Sequence, residues 1–70
     1  MQPVRYRLVS CPDGWRLFSD SERLGLFQDE ASARRAAMAI ARSSRLIGYD
    51  VEVLVETAQG DVRVLERDAP

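Results

Sequence analysis

Seventy residues with 46 % hydrophobic and 30 % charged side chains form one small globular domain, a composition that excludes an intrinsically disordered chain. No apolar run approaches the ~20 residues needed to span a bilayer, and the opening MQPVRYRLVS lacks a long secretory apolar segment, so a cytoplasmic protein is expected. The net charge of -1 excludes a domain that grips phosphates over its whole surface, but it hides an asymmetry. Residues 1–47 carry eight arginines against five acids (+3), and residues 48–70 carry two arginines against six acids (-4). Such a dipolar chain suits head-to-tail or edge contacts.

In VRYRLVS (4–10), Val4, Tyr6 and Leu8 alternate with Arg5 and Arg7, the period-2 pattern of a half-buried strand. Pro12-Asp13-Gly14 supplies a turn, because proline presets the backbone and glycine accepts positive φ. WRLFS (15–19) returns as a second strand with Trp15 and Leu17 opposite in parity to Arg16 and Phe18. DSER is polar and turn-like, and LGLF (24–27) is either a short third strand or an extended lead into a helix.

Asp29 or Ser32 can cap a helix at its start, and Asp29 with Glu30 suits the positive end of its dipole. At helical spacing Ala33, Ala36, Ala37, Ile40, Ser44 and Ile47 fall on one flank, which predicts close packing with Ile40 and Ile47 as the larger knobs. Arg34, Met38, Arg42 and Arg45 cluster on the opposite flank, with Arg35 at its margin, and Gly48 is the expected C′ residue. YDVEVLVET (49–57) then alternates again, and a Gln59-Gly60 turn leads into VRVLER (62–67), a second hairpin.

The expected fold is α+β: an antiparallel sheet of four to five strands with one α-helix packed on one face, in the order β-β-(β)-α-β-β. Residues 1–70 form a single domain with an ordered core over about 4–66, and the terminal RDAP is expected to fray. A core of this size supplies only ~3 to 5 kcal/mol. Cys11 has no second cysteine to pair with inside the chain, and there is no histidine for a zinc cage, so oligomerisation is the remaining aid to stability.

The segments DGWRLF, LFQDEASARRAAMAIARSS and DVEVLVETAQGDVR resemble the small bacterial family known as domain of unknown function 2188, over residues 4–66. That resemblance implies a ββαββ fold and transfers no catalytic residue. A topological similarity to small phage-encoded inhibitors of CRISPR systems implies a third functional reading, blockade of a bacterial defence complex.

Several side-chain groups bear on function. Arg34, Arg35, Arg42 and Arg45 around Met38 have the forked chemistry for phosphates or an acidic protein surface; the plainer alternative is a solvated flank whose arginines reach Glu30 and acids of the second hairpin. Trp15, with Tyr6, Phe18 and Phe27, has the rings for a base-stacking platform, but its parity with Leu17 favours the core. If the far face of the sheet is open, Val9, Phe18, Leu54 and Leu65 form an exposed apolar patch that marks a partner surface. Cys11 has no histidine to activate it, Glu52 and Glu56 are better read as keeping a strand soluble, and the glycines form no phosphate loop.

These readings converge on a non-enzymatic module that needs no cofactor and no metal and does not engage a membrane. Its expected partner is a protein, with a homodimer the simplest form, bound through Phe18, Leu54 and Leu65 on the far sheet face and Arg34, Arg35, Met38, Arg42 and Arg45 on the helix. Nucleic-acid binding through the arginine flank is the second choice.

Overall fold

The computed structural model describes residues 2–20 and 22–67. Strands β1 (Pro3–Cys11), β2 (Gly14–Ser19) and β3 (Glu22–Phe27) precede helix α1 (Glu30–Leu46), which strands β4 (Asp50–Glu56) and β5 (Val62–Arg67) follow. The α+β architecture matches expectation, and LGLF belongs to a full third strand. Of RDAP, only Arg67 lies within the described residues.

Strand order is β3-β2-β1-β4-β5, which makes β1 the central strand. The sheet is mixed rather than antiparallel throughout, because β1 and β4 pair in parallel, Val4 beside Val51 and Leu8 beside Val55. Chain direction explains this correction. Two successive reversals leave β3 running with β1, and the helix carries the chain back to the end where β1 began. With β2 on one edge of β1, β4 takes the other edge in the same direction.

Local chemistry fixes the joints. Gly14 sits at φ +140°, and a Cβ there would lie 2.3 Å from the Phe27 carbonyl oxygen, so the first turn demands glycine. Asp29 is the N-cap, its carboxylate accepting the Ser32 amide at 2.7 Å. At the other end the Gly48 amide donates to the Arg45 carbonyl and the Tyr49 amide to that of Ser44, both at 3.0 Å, with Gly48 at φ +100°. This Schellman motif confirms Gly48 as C′. The last hairpin closes through five residues, 57–61, instead of a two-residue turn at Gln59-Gly60. Thr57 binds the Asp61 carbonyl through its amide and the Asp61 amide through its hydroxyl.

The helix buries Ala33, Ala37, Ala41 and Ser44, a stripe of small residues one turn apart. Relative to the expected flank the packing face is rotated toward Ala41, since this stripe permits the closest approach to the sheet. Ile47, expected as a knob, is the C-cap and is 75 % exposed. Met38, expected to face away from the core, packs partly against it. Beneath the helix lie Tyr6, Leu8, Leu17, Val51, Val53 and Val55, all buried, with Trp15 and Phe27 packed at the margin. Burying each of the larger aliphatic side chains contributes ~1.5 to 3 kcal/mol. The Tyr6 and Ser44 hydroxyls share a 2.5 Å hydrogen bond that ties the central strand to the last turns of the helix.

Each edge strand carries one extra residue. Gly25 faces Leu17 and Arg23 faces Phe18, which leaves Leu24 unpaired; Glu66 faces Val53 and Val64 faces Leu54, which leaves Leu65 unpaired. Such shifts reverse side-chain parity along a strand.

Candidate interaction surface

The second shift decides what the far face presents. Leu65, expected there, packs against the core on the helix side, a correction that follows from its unpaired position. Val62 and Val64 take its place, opposite Glu56 and Leu54, and are 57 % and 46 % exposed. At the other edge Leu24 and Leu26 are exposed as well.

Pairing register assembles this face in rows. Leu26, Arg16, Val9, Glu56 and Val62 form one row across the five strands. Arg23, Phe18, Arg7, Leu54 and Val64 form the next. Phe18 and Leu54 are half-buried, as expected of far-face residues, and both lie beside Arg7 in their row. The Arg7 guanidinium stacks 5.3 Å from the centre of the Phe18 ring and reaches Glu56 at 3.6 Å. Arg16 pairs with Asp13 at 3.1 Å.

A third row is fully charged. Glu52 accepts Arg5 at 2.8 Å and the Arg67 Nε at 2.6 Å on its two carboxylate oxygens. Hydrogen bonding from Arg67, then from Arg5, holds the Glu52 carboxyl below its ordinary range despite some desolvation. Asp29 is also held low, first by the Ser32 amide that it caps.

The arginine flank of the helix is largely occupied from within. Arg34 pairs with Glu30 one turn earlier, Arg45 crosses to Glu66 on β5, and Arg35 lies 3.4 Å from the Ser32 hydroxyl. Arg42 has no ion pair among the described residues. Met38, Arg42, Arg45 and Glu66 line a shallow groove between helix and β5, so the structure brings these predicted residues together. It sets Phe18 and Leu54 apart from them, on the opposite side of the sheet. Cys11 is half-buried at the end of β1, its thiol 3.6 Å from the Val9 carbonyl.

Sequence reasoning found Val9, Phe18 and Leu54 by parity. It missed Leu26, Val62 and Val64, because an unpaired residue within a strand leaves no local signature. No helix among the described residues is long and apolar enough to cross a membrane. Comparisons with family models, with curated proteins and with solved structures find no match.

Proposed function

We propose that this chain is a non-enzymatic interaction module that works by protein–protein contact through the sheet face its helix leaves uncovered, and that it self-associates there. The observation that carries this reading is the apolar content of that face: Leu26, Phe18, Val9, Leu54, Val62 and Val64 across five strands. Apolar side chains left uncovered opposite a complete core, here interleaved with Arg7, Arg16 and Glu56, favour burial against another chain. The small core gives the same direction, since association adds the stability that seventy residues alone supply sparingly.

Nucleic-acid binding through Arg34, Arg42 and Arg45 ranks second, because two of these three guanidinium groups would first have to leave Glu30 and Glu66. Light scattering of the purified chain tests the first reading. The parent is expected to self-associate, and Phe18→Glu and Leu54→Glu are each expected to give monomers with the parent's far-UV circular dichroism. Variants that keep the parent's mass would refute the far face as the contact.

A further inference from the structure

We infer that the exposed flank of α1 is a docking surface for another protein, and that the segment it takes is an acidic amphipathic helix. The surface is separate from the open sheet face and lies on the opposite side of the sheet.

Spacing defines the surface. Ala31, Arg35, Ala39, Arg42 and Leu46 are all exposed and follow one another at intervals of four, four, three and four residues. They therefore form one stripe along the side of the helix turned away from the sheet. From Arg35 onward the interval alternates four and three, the repeat by which one helix presents a seam to another. Ala31 and Ala39 carry nothing beyond Cβ, which lets a second helix approach closely between the arginines. Leu46 ends the stripe at 82 % exposure, the highest of any large hydrophobic side chain among the described residues, and Ile47 next to it is 75 % exposed.

Charge defines the partner. Residues 31–49 hold four arginines and no acid. Arg34 and Arg45, at the margins of the stripe, are neutralised by Glu30 and Glu66. Arg35 and Arg42, on the stripe itself, have no ion pair among the described residues. Arg35 reaches only the Ser32 hydroxyl at 3.4 Å, and Asp29, whose charge it feels, gives its carboxylate to the Ser32 amide. The two arginines are rooted seven residues apart, a rise of ~10.5 Å along the axis, over which a partner helix also advances two turns. Acids seven apart on that helix would meet both guanidinium groups in charge-assisted bonds, and an apolar residue one turn further would cover Leu46.

Other occupants fit less well. A second copy would gather two unneutralised guanidinium groups from each helix with no acid between them. A phosphate backbone offers nothing to Leu46 and Ile47, and it would face Glu30 and Glu66 beside the arginines.

Binding of a synthetic helical peptide to the full chain, followed by fluorescence anisotropy, tests the docking surface. The peptide is about 18 residues long with glutamates seven apart beside a leucine stripe, and its scrambled counterpart keeps the composition without the stripe. Saturable binding is expected, about tenfold or more tighter than that of the scramble. Arg35→Glu or Arg42→Glu should weaken it by about tenfold or more by setting acid against acid, and Leu46→Ser by about tenfold by removing the apolar anchor. All three side chains are exposed, so each variant should keep the parent's far-UV circular dichroism and its mass in light scattering. A peptide that binds no tighter than its scramble, or variants that keep the parent's affinity for it, would overturn the proposal. So would a random DNA duplex or phosphatidylserine vesicles that bind the chain while the peptide does not, which would assign the arginines to phosphates. A variant that loses the parent's mass would make this flank a self-association contact and overturn the proposal as well.

Discussion

The hydroxyl pair between Tyr6 and Ser44 offers a sharp test of how helix and sheet are held together. The two residues are 6 % and 7 % exposed, and their hydroxyls lie 2.5 Å apart, so neither has ready access to water as a substitute. The two truncations should nevertheless differ. Tyr6→Phe leaves the Ser44 hydroxyl on a helix, where it can turn to the carbonyl four residues back, so the cost should be near that of one net hydrogen bond, ~0.5 to 1.5 kcal/mol. Ser44→Ala strands the phenol in the core without a partner, for which the desolvation penalty is ~1 to 3 kcal/mol. For a domain of this size 1 kcal/mol corresponds to a Tm change of ~4 to 8 °C. Urea denaturation of both single variants and the double variant, at one fixed protein concentration, measures the coupling. The double variant is expected to cost ~1 kcal/mol less than the sum of the singles. Strict additivity, or a Tyr6→Phe penalty larger than that of Ser44→Ala, would refute the buried bond.

Two further perturbations probe the rest of the frame. Ala37 is fully buried in the small-residue stripe, so Ala37→Leu should overpack the helix against the sheet and cost ~1 to 3 kcal/mol in urea denaturation, whereas Ala39→Leu on the exposed flank should change little. Equal effects at the two positions would place the packing face wrongly. Because the folded Glu52 carboxyl is held below its ordinary value of 4.5, its contribution to stability is present above that pH and is lost as pH falls through the lower folded value. Thermal melts should therefore show the parent losing Tm on acidification below 4.5 more steeply than Glu52→Gln; identical slopes would remove the Arg5 and Arg67 bonds as the cause.

Much of the fold is legible in the chain because each signal is local. Alternation in VRYRLVS and DVEVLVE, the Asp29 cap, the Gly48 terminus and the Gly14 turn all depend on neighbours within a few residues. What escapes is the part decided between segments. The parallel β1/β4 pair depends on which edge of β1 is vacant once β2 has docked. Likewise, Leu65 reads as a far-face residue by simple alternation, and only its unpaired position opposite Val53 and Leu54 turns it to the core and brings Val62 and Val64 outward. The helix face was nearly right for a related reason: both possible stripes contain Ala33, Ala37 and Ser44, and the sheet chooses the one with Ala41 over the one with Ile47.

These long-range choices also bear on the route of association. With β1 central, both register shifts fall on edge strands, Leu24 in β3 and Leu65 in β5. A shifted edge presents an interrupted ladder of amides and carbonyls, which disfavours the addition of a further strand. The same topology turns chain order into lateral order. The +3 of residues 1–47 is carried by the central β1 and by the helix, while Arg16 and Arg23 of β2 and β3 are outnumbered by Asp13, Asp20 and Glu22 in the same segment, and β4 carries Asp50, Glu52 and Glu56. Under the proposed reading, association by the face rather than by an edge accords with where the chain places its own irregularities.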